Sequence, residues 1–118
     1  MTDSLLSPGN PFGLVLVTLD SEANAQNLAQ KLVEARLAAC VSIAPVQSVY
    51  RWQGEIQHDQ EWQLTIKTDL SRLDALAQFI TQHHPYKVPE IIAIPLAAGS
   101  TAYLTWLAEQ TQPSSPTA

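Results

Sequence analysis

The run Gly13-Leu-Val-Leu-Val-Thr-Leu19 is continuously apolar and β-branched over strand length, the pattern of a strand covered on both faces or paired centrally in a sheet. Asp20 or Ser21 can cap a following helix, in which Ala25, Leu28, Ala29, Leu32 and Val33 recur at helical spacing and share one face. That helix ends near Arg36. A second strand runs from about Ala38 to Trp52, interrupted at Pro45, which cannot donate to a ladder and so marks a bulge or an edge segment. Gln53-Gly54 reads as a two-residue hairpin turn, because glycine accepts the positive φ that most residues cannot. In the third strand, Glu55 to Thr68, Trp62, Leu64 and Ile66 alternate with Glu61, Gln63, Thr65 and Lys67, giving one apolar and one polar face.

Ser71 with Asp74 three residues on predicts a capping pair for a second helix, whose buried stripe is Leu73, Leu76, Ala77 and Ile80. Pro85 and Pro89 bracket a rigid loop, His84-Pro-Tyr-Lys-Val-Pro89, ahead of a fourth strand, Glu90 to Leu96. Ser100 opens a third helix carrying Tyr103, Leu104, Trp106 and Leu107. The order β-α-β-β-α-β-α favours an α+β fold, a ferredoxin-like βαββαβ sandwich with an extra C-terminal helix. Residues 13–111 form the domain; 1–12 and 112–118, rich in Ser, Pro and Gly without apolar periodicity, read as disordered tails.

The second and third strands are long for so small a sheet, roughly 14 residues each against a usual ~5–6. Two helices cannot cover them, and helices on one face leave the other bare. The composition sharpens the point: hydrophobic residues make up 46% of the 118 and charged residues 14%, so the bare face predicts packing on symmetry mates. The net charge of −5 repels phosphate backbones and anionic headgroups, which argues against nucleic acid and membrane partners. A single cysteine, Cys40, permits no internal disulfide, and the N-terminus has no basic n-region, so the expected location is cytoplasmic.

The segments Ala35-Arg-Leu-Ala-Ala-Cys-Val41, Tyr50-Arg-Trp-Gln-Gly-Glu-Ile56, Ile66-Lys-Thr68, His83-His-Pro-Tyr-Lys-Val-Pro-Glu90 and Tyr103-Leu-Thr-Trp106 resemble, in that order and spacing, the CutA divalent-cation tolerance family. The resemblance spans about Leu14 to Glu109. It implies a PII-like homotrimer with a cleft at each subunit interface, a role in tolerance of copper or another divalent cation, and no established catalytic activity. It names no protein partner.

Candidate metal ligands are Cys40, His83 and His84. One cysteine cannot build a Cys-x-x-Cys loop, so Cu(I) would need thiolates from neighbouring subunits, and the donors at hand suit weak Cu(II) or another divalent ion. Equally, Cys40 in Ala-Ala-Cys-Val fits a small buried hydrophobe, and the two histidines fit capping of a helix C-terminus. Tyr50, Trp52, Glu61, Lys67, Tyr86 and Glu90 are the candidates for an interface cleft. Glu61 and Lys67 would mark opposite ends of a groove, and the aromatics would either stack on a planar ligand or pack across the interface. There is no glycine-rich phosphate loop, no Ser-His-Asp or Cys-His signature and no helical His-Glu metal motif. The first βα junction, Thr18-Leu-Asp-Ser21, lacks an arginine of the acylphosphatase kind, and the third strand lacks the RNA-recognition stacking motif. Two function classes stay open: a metal-responsive tolerance protein, and a PII-like sensor of a small anion or nucleotide.

Overall fold

In the computed structural model, which describes residues 5–6 and 9–113, alternation along the third predicted strand decides the architecture. Phe12–Leu19 (β2), Cys40–Trp52 (β3), Glu55–Asp69 (β4) and Ile92–Pro95 (β5) form one antiparallel sheet in the order β3-β4-β2-β5, the ferredoxin-like order. Helices α1 (Glu22–Glu34) and α2 (Leu73–His83) cover one face. There Val15, Val17 and Leu19 of β2 and Leu64 and Ile66 of β4 are buried against Leu28 and Leu32 of α1 and Leu76 and Ile80 of α2. On the opposite face Leu14 and Leu16 pair with Ile94 and Ile92, and neither α1 nor α2 reaches them. Helix α3 (Thr101–Gln110) anchors a separate small cluster, Leu104 and Leu107 with Phe12 and Ala39.

The local chemistry explains the ends. The Ser21 hydroxyl accepts from the Asn24 N–H at 3.1 Å and starts α1. The helix stops in a Schellman turn: Arg36 takes φ 59°, its N–H bonds to Val33 O at 3.0 Å, and the Leu37 N–H bonds to Leu32 O at 3.0 Å. Glycine is usual at such a position. Here the arginine side chain compensates, because Nε donates to Gln112 O at 2.7 Å and Nη2 to Glu109 O at 2.5 Å, capping the C-terminus of α3.

Three expectations shift. The Ser71–Asp74 pair does not cap the second helix: a 3₁₀ turn, Leu70–Arg72, precedes α2, and Asp69 caps that turn by accepting from the Ser71 N–H at 2.8 Å. The fourth strand is only four residues long and closes at Pro95. Within the N-terminal tail, Leu5–Leu6 (β1) pairs antiparallel with Gly99–Ser100 (β6). Phe12, expected in the tail, opens β2 and is buried, while tail residues 1–4, 7–8 and 114–118 lie outside those described. Among the described residues no helix is long and apolar enough to cross a membrane.

The β3–β4 register runs unbroken from Cys40 opposite Lys67 to Trp52 opposite Glu55, with Pro45 opposite Trp62 in what proves to be an edge strand without a bulge. Gln53 at φ 51° and Gly54 at φ 82° both lie in the left-handed region, which defines a type I′ turn whose twist matches its strands. Beyond the helices the hairpin projects, leaving Val49 65% and Ile56 52% exposed. A Cβ at Gly54 would meet no atom within 4 Å, so substitution there tests backbone strain alone. Gly54→Val should cost roughly 1–2 kcal/mol in denaturant unfolding, and Gly54→Asn much less. Equal losses for both variants would contradict the turn geometry.

Candidate functional site

The hairpin and the Pro-bracketed loop enclose a cleft of about 690 Å³, within the usual range for a small-molecule site. Thr18 of β2, Ser48, Val49, Tyr50 and Trp52 of β3, Glu61 of β4, and Pro85, Tyr86, Lys87, Val88 and Glu90 of the loop line it. Its geometry begins with His84, the residue that ends α2. The Tyr86 backbone N–H can only donate, and it lies 3.0 Å from His84 Nδ1, so that nitrogen accepts. Nε2 therefore carries the proton, donated to Thr18 O at 2.7 Å. This imidazole clamps the loop onto β2 and aims Tyr86 across the sheet.

Tyr86 then donates its hydroxyl to Glu61 Oε2 at 2.7 Å. Glu61 is 7% exposed, a deeply placed carboxylate on the strand face away from the helices. Burial, followed by the hydrogen bond to Glu61 and the charges of Glu61 and Asp20, pushes the Tyr86 phenol well above its ordinary 10.0. Across the cleft Tyr50 donates to Asp59 Oδ2, and that bond is the main cause of its own upward shift.

Of the residues singled out from sequence, Tyr50, Trp52, Glu61, Tyr86 and Glu90 converge on this cleft. Lys67 does not. It sits opposite Cys40, its Nζ 3.9 Å from Cys40 Sγ, six residues along β4 from Glu61 and so about 20 Å away. The cation of the cleft is Lys87, inside the Pro-bracketed loop. The proline bracket marked that loop, but nothing in the sequence showed which of its residues line the cleft.

The three candidate metal ligands stay apart. Both nitrogens of His84 are engaged as above. His83, exposed at the end of α2, stacks on Phe79 with ring centroids 4.2 Å apart and holds Phe79 O through Nδ1 at 2.8 Å, leaving Nε2 open. Half-buried Cys40 lies four rungs along the sheet and two strands across from Thr18, which His84 approaches, so more than about 13 Å away. Among the described residues no three His, Cys, Asp or Glu side chains are grouped to hold a metal ion.

A four-stranded antiparallel sheet in this order, with helices on one face and an overlong hairpin at one edge, defines a ferredoxin-like α+β domain. Comparison with known proteins places it more narrowly. The profile of the CutA1 divalent ion tolerance protein family matches residues 13–110, and the chain belongs to that family. The divalent-cation tolerance protein CutA of Thermus thermophilus is 50% identical over 99 residues, covering 83% of this chain and 96% of that protein. The chloroplastic protein CutA of Arabidopsis thaliana is 43% identical over 103 residues, covering 86% of this chain and 57% of that one. The CutA structure from Synechococcus elongatus superposes with a TM-score of 0.88 at 46% identity, covering 92% of this chain and 96% of its own.

The Tyr86 contact has a pH signature. Its neutral phenol is favoured in the folded state, so above about pH 10 the unfolded chain releases a proton that the folded chain retains. Stability is therefore full below that pH and falls as pH rises beyond it. Melting temperatures measured from pH 8 to 11 should decline less steeply in Tyr86→Phe than in wild type, and the latest-titrating phenolate absorbance near 295 nm should disappear. An unchanged alkaline titration would place Tyr86 outside the cleft.

Proposed function

We propose that the chain acts as a non-enzymatic divalent-cation response protein, assembled as a homotrimer, with copper the metal that its donors suit best. Family membership across residues 13–110 carries the reading. Imidazole and carboxylate donors suit Cu(II), and their separation within one chain supports weak binding completed by residues of neighbouring subunits. The trimer is supported by the uncovered sheet face, where Ile92 is 48% and Ile94 41% exposed in the single chain beside half-buried Leu14 and Leu16. A face this apolar on a chain this poor in charge fits burial against copies of itself. The non-enzymatic assignment follows the family, whose members are described as divalent-cation tolerance proteins. A cytoplasmic location fits the single free thiol. The alternative, a PII-like anion or nucleotide sensor, is disfavoured by two glutamates against one lysine in the cleft.

Light scattering coupled to size exclusion should report three chain masses at micromolar concentration, and a monomer would overturn the assembly. Copper(II) titration should give micromolar or weaker affinity. His83→Ala, which removes the candidate nitrogen left open, should weaken it more than Cys40→Ser. Equal affinities in wild type and His83→Ala would show that His83 only closes its helix.

A further inference from the structure

The cleft has a chemistry that the metal donors do not share. Among the described residues the polar partner of Glu61 is Tyr86, which occupies one oxygen. A carboxylate accepts several hydrogen bonds, so this deeply set anion keeps capacity directed at a cleft it helps to line. The groups bearing electrostatically on Tyr86 are Glu61, Asp20 and the Tyr50 phenol, and those bearing on Tyr50 are Asp59 and Glu61, all of them acidic. Tyr50, Trp52 and Tyr86 supply aromatic surface on the same cavity, and Val49 and Val88 supply aliphatic surface.

A hydrated divalent metal fits such walls poorly, because aromatic rings and valines cannot replace its oxygen ligands. An anion meets carboxylates, and a neutral apolar molecule would leave Glu61 covered without a counter-charge. A large, weakly hydrated cation satisfies both features at once, setting its charge against Glu61 and its alkyl groups against the rings. We propose that this cleft is a binding site for a small organic ammonium cation, held between the Glu61 carboxylate and the aromatic surfaces of Tyr50, Trp52 and Tyr86. Lys87 at the same cleft opposes the ligand and sets an upper limit on its affinity.

The test uses the full-length protein as it assembles, in an amine-free buffer, with choline as probe and its uncharged isostere 3,3-dimethylbutan-1-ol as control, read by calorimetry. Choline should bind saturably and the isostere at least about tenfold more weakly. Glu61→Gln keeps an acceptor for Tyr86 while removing the charge, and should weaken choline by about tenfold or more with oligomeric state unchanged. Lys87→Ala, at an exposed loop position, should tighten it severalfold. Equal binding of choline and its isostere would overturn the proposal, as would choline heats unaffected by both variants. So would a silent choline titration, the result expected if a neighbouring subunit's side chain fills the cleft. Saturable binding of ATP in place of choline would overturn it in favour of an anion site.

Discussion

The pairing parity of β4 is the constraint on which the rest depends. It lies between β3 and β2, so its alternation is imposed on both neighbours: Leu64, Ile66 and Thr68 turn towards the helices, and Glu61, Gln63, Thr65 and Lys67 turn away. A slip of one residue would drive Lys67 into the core and Leu64 out of it, a change that no local adjustment could absorb. The turn at Gln53 and Gly54 fixes that register from one end, and Thr68 from the other, its hydroxyl donating to Leu37 O at 2.8 Å. Glu61 owes its place in the cleft to the same parity.

A second layer of order comes from one imidazole. His84 joins the end of α2 to β2 and presents Tyr86 to Glu61, so the loop is held by hydrogen bonds of fixed direction as well as by its prolines. Histidine suits the task because a neutral ring both accepts and donates, at opposite edges. A residue that sequence marks as a metal ligand is thereby a brace, while its neighbour His83 faces solvent with a nitrogen to spare. Adjacent identical residues at a helix end point in different directions, and only the fold distinguishes them.

The elements were legible because their periods are strong: β2 as an apolar run, β4 as an alternation, α1 and α2 as stripes, and Gln53-Gly54 as a turn. Capping by Asp69 was hidden because Ser71 and Asp74 have the spacing of a capping box, and only backbone hydrogen bonds show that a 3₁₀ turn comes first. A two-residue ladder such as Leu5–Leu6 with Gly99–Ser100 has no period to detect. In the cleft, alternation placed Glu61 on the correct face and the proline bracket placed Tyr86 in a rigid loop, but their contact spans 25 residues and depends on His84. The same limit selected Lys67, whose strand position was visible, over Lys87, whose place at the cleft was not.

Arg36 ties the beginning of the chain's fold to its end. Its backbone sits where glycine would be more comfortable, and the side-chain bonds that offset this reach carbonyls 73 and 76 residues further on. During synthesis those acceptors do not yet exist when α1 leaves the ribosome. The first helix must hold its terminal turn unaided until α3 has emerged, so α3 acts as the latch that completes the first.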